Sequence, residues 1–134
     1  MAITTIQKGQ TDWHIPLNAN FVDLDGNKLR LESLWTGNWG ASGSAPITIS
    51  GLANYAVFAL YMRGGLYFFS GVNVTINPID KFLSADGATV TEHLRLITKA
   101  GITLTLTSAR MSTNGGAWAN SNSNSIAAVY GVKN

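Results

Sequence analysis

Tyr55–Met62 (YAVFALYM) and Leu66–Phe69 (LYFF) flank Arg63-Gly64-Gly65, and this juxtaposition constrains the fold more than any other feature of the chain. Two short apolar, aromatic-rich runs separated by glycines that can take the positive φ of a tight turn predict a β-hairpin. Neither arm alternates apolar with polar residues, so both faces of the hairpin need cover. It belongs at the centre of a β-sandwich or beneath another subunit. Tyr55–Met62 is also the longest near-apolar run, far short of the roughly 18–20 residues of a membrane-spanning helix, so no membrane span is expected.

Strand periodicity extends to either side. Leu29 and Leu31 alternate with Lys28, Arg30 and Glu32, Ile47 and Ile49 with Thr48 and Ser50, and Val72, Val74 and Ile76 with Asn73 and Thr75. Ile102, Leu104 and Leu106 alternate with Thr103, Thr105 and Thr107, and Ile126–Val132 reads as a closing strand. A period of two marks a half-buried strand. Asn77-Pro78 should end the strand before it, because proline cannot donate to a ladder. In Thr89–Thr98 helix and strand periods conflict, and β-branched content with the preceding Asp86-Gly87 turn favours a strand. Gly/Ser/Asn-rich stretches at about 35–45 and 112–125 read as loops. About seven or eight strands with regular turns predict a mainly β fold, a single-domain antiparallel β-sandwich over 1–134.

One short helix is expected, over about 12–26. Thr11 and Asp12 are capping residues, Pro16 suits a first turn, and Leu17, Phe21 and Leu24 form one apolar stripe that stops at Asp25-Gly26-Asn27. Trp13 adds to that stripe, while Asn18 and Asn20 can satisfy backbone groups beside it.

With 134 residues the chain is the size of one domain. Nine basic against seven acidic residues leave a charge of +2, too small for a cationic nucleic-acid surface. The absence of cysteine excludes disulfides, thiol nucleophiles and thiolate metal sites. Met1–Thr5 lacks the basic and apolar regions of a secretory signal, so synthesis in the cytoplasm and a soluble product are expected.

Chemistry-bearing residues are scarce. His14 and His93 are the only histidines, and each reads as a structural polar residue rather than a base, since no nucleophile and orienting group accompany it in a recognisable pattern. Asp23 and Asp25 before Gly26, with Glu32 six residues on, partly match a calcium loop, but Lys28 and Arg30 crowd the span and a helix-ending turn is the simpler reading. No enzyme, cofactor or metal is expected. Trp35, Trp39 and Trp118 sit in the loop-like stretches, where indoles stack on sugar faces but also cap sandwich ends and fill subunit contacts. They are candidates for saccharide or protein contact.

The segment Asp12-Trp13-x-x-Pro16-Leu17-Asn18-x-x-Phe21 resembles tail-associated proteins of siphophages that infect Gram-positive bacteria. It looks most like the N-terminal shoulder domain of lactococcal phage receptor-binding proteins, where a D-W-x-x-P-L-N segment precedes a β-sandwich. Gly64-Gly65-x-Tyr67-Phe68, followed by Val72-x-Val74-x-Ile76, is similar to the G-G-R-Y-F hairpin of that domain. A small tail or baseplate protein of a Bacillus-type phage is the nearest likeness. In that family the shoulder attaches the protein to the baseplate, while a neck and head supply the trimeric stalk and the saccharide site. The resemblance therefore implies a virion protein, an assembly module with other tail or baseplate proteins as partners. It also implies three-fold self-association, with Asp12, Trp13, Pro16, Leu17, Asn18 and Phe21 as the assembly motif. The alternative is a carbohydrate-binding module that recognises host-envelope saccharide through its loop tryptophans.

Overall fold

A computed structural model describes residues 28–63 and 65–133, together with Thr5, Lys8, Gly9, Asp12, Ile15 and Asn18. Among the described residues ten strands follow in order: β1 Arg30–Trp39, β2 Ile47–Thr48, β3 Val57–Met62, β4 Gly65–Ser70, β5 Asn73–Ile76, β6 Ile79–Leu83, β7 Val90–Ala100, β8 Thr103–Thr113, β9 Ala119–Asn120 and β10 Ile126–Lys133. Leu52–Asn54 adds one 3-10 turn. Strands make up 59% of the described residues and the pairings of β2 to β10 are antiparallel, so the mainly β expectation is met. Trp13, Pro16, Leu17, Phe21 and the Asp23–Asp25 turn lie outside the described residues, and so does most of the helix expected over 12–26. Within that span the Asp12 carbonyl accepts from the Ile15 N–H at 3.0 Å, and Asp12 and Asn18 are exposed.

One sheet runs in the order β1-β10-β3-β4. The other runs β2-β8-β7-β5, with β6 also paired to β7 and β9 to β8. Its spine is the hairpin of the two longest strands, β7 and β8, turned at Gly101 with φ 58. β5 and β6 lie in succession along β7, facing Ile97–Ala100 and Val90–Leu94. Asn77-Pro78 does end β5, as a proline in a ladder must. Its carbonyl still accepts the Arg95 N–H at 3.1 Å, and pairing resumes in β6, which periodicity did not anticipate.

Two loop assignments are corrected. β1 continues through Trp39, so residues 35–39 are strand and only the remainder of 35–45 is loop. Leu34, Trp35 and Trp39 have the core to pack against, and burial outweighs the poor strand propensity of Gly37 and Asn38. Within 112–125, β8 extends to Thr113 and β9 pairs Ala119 and Asn120 with Met111 and Arg110.

Leu31–Val132 form one compact unit, and Met1–Arg30 with Lys133–Asn134 form another. In the larger unit Trp39, Phe58, Leu60, Met62, Ile126 and Val129 from the first sheet join Ile76, Ile97 and Leu104 from the second in a single apolar cluster. Phe58 and Phe69 face each other across β3 and β4 with ring centroids 5.8 Å apart. On the opposite face of this pair Tyr61, Leu66 and Phe68 are exposed, Phe68 by 56%. One face of the apolar hairpin thus builds the core, and the other carries aromatic and aliphatic groups at the end of the sheet.

Candidate functional site

The three tryptophans have different fates. Trp39 is buried and its Nε1–H donates to the Ala45 carbonyl at 2.8 Å, which makes it a core residue rather than a loop aromatic. Trp35 is half-buried against the same cluster, and its indole overlies Gly37 so closely that a Cβ there would come within 2.5 Å of the ring. Trp118 is not part of that cluster: the residue is 43% exposed, and its carbonyl accepts from Arg110 Nη2 at 2.8 Å. Core packing therefore takes up Trp35 and Trp39 and leaves Trp118 as the accessible indole of the set.

A second constellation was not anticipated. Successive β7 side chains alternate in burial, and the inward series is Thr91, His93, Arg95, Ile97 and Lys99. Register places Asp80 of β6 directly opposite His93, and Asp80 is buried as well. Arg95 is fully enclosed. Its Nη1 contacts Asp80 Oδ1 at 3.0 Å, its Nε donates to the Gly40 carbonyl at 3.0 Å, and its Nη2 donates to the Ser123 carbonyl at 3.1 Å. Gly40 has φ 106, and a Cβ on it would stand 2.9 Å from Arg95 Nε, so glycine is required both by conformation and by the approach of the guanidinium.

Arg63 reaches this cluster from the β3–β4 turn, where it holds φ 44, a left-handed conformation uncommon outside glycine. Arg63 Nε lies 2.9 Å from Asp80 Oδ2, an ion-pair contact that lacks hydrogen-bond alignment and leaves Oδ2 without a hydrogen bond. Arg63 Nη2 donates to Ser123 Oγ at 2.9 Å, and the guanidinium sits 4.0 Å from the centroid of the Phe82 ring. Phe82 in turn stacks on His93 with centroids 5.6 Å apart and planes 14° from parallel. The cluster thus links a turn of the first sheet to β6, β7 and the segment before β10.

The protonation state of His93 follows from its neighbours. Burial lowers its pKa first, Asp80 opposes that, and the Arg63 and Arg95 guanidiniums reinforce it. Its Nε2 faces Arg63 Nη2 at 3.4 Å, and a guanidinium can only donate, so Nε2 accepts. Nδ1 therefore carries the hydrogen and donates to Ser121 Oγ at 2.9 Å. A serine beside a histidine invites comparison with a nucleophile and its base, but there the second ring nitrogen must be oriented by a carboxylate. Here it meets an arginine, and Ser121 is fully buried. The arrangement fixes geometry and stores charge; it does not activate a hydroxyl. Burial also lowers the pKa of Arg95, against the opposing pull of Asp80. Among the described residues no three His, Asp or Glu side chains converge as a metal site.

Sequence reading missed Asp80, Arg95 and Arg63, because a buried charged series on a strand has the same period as an exposed one. Neither a protein-family model, nor a curated protein, nor a solved structure matches this chain.

Proposed function

We propose that the chain is a structural component of a bacteriophage tail tip or baseplate, a virion protein that acts through contacts with other tail proteins and with copies of itself. On this reading the two sheets form a single antiparallel β-sandwich preceded by a short N-terminal helix. The motif from Asp12 to Phe21 and the Gly64-Gly65 hairpin support it by resemblance. The structural observation that carries it is the outward face of β3 and β4. Tyr61, Leu66 and Phe68 lie exposed there, and β4 contains no charged residue. Uncharged aromatic surface at a sheet end favours burial against protein.

Antibody raised against the chain should label the tail tip of intact virions, and light scattering should find the purified chain self-associated. Phe68→Asp should shift it to monomer while leaving the circular dichroism spectrum unchanged. A monomeric wild-type chain and unlabelled virions would reject the reading. The exposed indole of Trp118 favours a second one, binding of host-envelope saccharide. Quenching of tryptophan fluorescence by cell-wall saccharide, abolished in Trp118→Ala, would put that reading first.

A further inference from the structure

We propose that His93 and Arg63 compete for one site, so that acid releases the β3–β4 turn from the second sheet. The two side chains share their partners. Arg63 sits over the Phe82 ring at 4.0 Å and against Asp80 Oδ2 at 2.9 Å, while His93 stacks on the same ring and lies opposite Asp80 in the β6–β7 register. With neutral His93 the arrangement is stable, since Nε2 accepts from the arginine. A proton taken up from solvent at Nε2 replaces that acceptor with a second donor, 3.4 Å from Arg63 Nη2. Two cations then contend for one carboxylate that Arg95 already engages.

The groups around His93 decide which cation leaves. On β7 itself the near charge is Arg95. On β6 it is Asp80, and the Lys81–Glu92 ion pair lies on the opposite face of the two strands. The paired residue on β8 is Met111, which is uncharged. The β3–β4 turn supplies Arg63, and the segment before β10 supplies Ser121 and Ser123. Arg95 is completely buried and held by three acceptors, so it stays. Arg63 has 32% of its side chain in solvent and a carboxylate contact without hydrogen-bond alignment. It can rehydrate at small cost. Protonated His93 keeps its Nδ1–H bond to Ser121 Oγ, keeps Phe82, and takes Asp80 Oδ2. Departure of Arg63 also removes the restraint on its left-handed backbone. The lowered pKa of His93 agrees with this order of events, placing release on the acid side of neutrality.

The test is an NMR titration of the full chain, from about pH 7 to about pH 5. The expected result is a single midpoint, below the ordinary histidine value, shared by the His93 ring signals and the Arg63 side-chain Nε–H signal. Amide exchange at Met62–Leu66, corrected for its intrinsic pH dependence, should rise about tenfold across it, the factor that one pH unit applies to a one-proton equilibrium. His93→Gln should remove the rise, and His14→Gln should keep it. Arg63 signals that do not move through the His93 midpoint would overturn the proposal. So would an equal rise in exchange in His93→Gln. Should that variant fail to fold, the wild-type midpoints alone decide.

Discussion

Arg95 and Lys99 lie four residues apart on one inward face of β7, and both are completely buried cations. Their surroundings differ. Arg95 meets a carboxylate and two carbonyls with its planar fork, and a glycine makes room for it. Lys99 donates to one carbonyl, that of Val72, at 2.9 Å, and its ammonium lies 5.4 Å from the centroid of the Phe58 ring. Burial lowers the pKa of Lys99 with no opposing charge, whereas Asp80 opposes the same effect at Arg95. A buried charge becomes a fixed part of a fold when its partners depend on it in return. By that measure Arg95 is a keystone and Lys99 a tolerated guest.

Arg95→Met should have the largest effect. It would strand Asp80 with Arg63 alone and remove donors from the Gly40 and Ser123 carbonyls, and truncating one partner of a buried pair costs about 3–5 kcal/mol. A large fall in the urea midpoint is expected, with less than additive loss when Asp80→Asn is combined with it. Equal midpoints for Arg95→Met and wild type would show that the cluster carries no stability. Gly40→Ala comes next. The strained φ and the overlap with Arg95 Nε and Ile126 Cδ1 should together cost about 1–3 kcal/mol, read from thermal unfolding.

How much of this was legible depended on whether polarity tracked burial. The β3–β4 hairpin and the threonine-bearing first half of β8 were visible because their buried positions, Phe58, Leu60 and Leu104 among them, are apolar and their glycine turns explicit. β6 inverts the rule: Ile79 and Leu83 are exposed while Asp80 is buried, so its two most evident aliphatic positions mark the outer face and Phe82 alone is the apolar residue of the inner one. β7 conflicted between helix and strand for the same reason, since Ile97 is the one apolar residue on an inner face it shares with Thr91, His93, Arg95 and Lys99. β1 was cut short at Trp35 by the composition around Gly37, although Trp35, Gly37 and Trp39 share one strand face, with the small residue making room for the indole. Of the candidate site, His93 and the tryptophans could be named from sequence. That Asp80 stands opposite His93 depends on strand register, which no local pattern reveals.

Acid acts on the Arg95 cluster through His93. Because the folded-state pKa of His93 lies below its ordinary value of 6.5, the stability that neutral His93 confers is complete above that value. It is lost as the pH falls from there through the folded-state value. Urea midpoints should therefore drop more between about pH 7 and pH 5 in the wild type than in His93→Gln. A parallel fall in both proteins would assign the acid sensitivity to other groups.

Lys99→Met is the smallest expected effect and the one of opposite sign. The Val72 carbonyl also accepts the Gly101 N–H at 3.2 Å, so removing the ammonium leaves no orphaned acceptor. The substitution keeps an unbranched chain of similar volume, exchanges the weak cation–π contact for a sulfur–aromatic one with Phe58, and abolishes the desolvation cost of a charge. Stability at neutral pH should be held or raised by up to about 1 kcal/mol. The gain should shrink at alkaline pH, where the lysine deprotonates in the folded state and the cost of its charge disappears from the wild type too. A clear loss of thermal midpoint in Lys99→Met at neutral pH would mean that the ammonium holds the start of β5 through Val72 more firmly than one carbonyl bond implies, and the distinction between the two buried cations would fall.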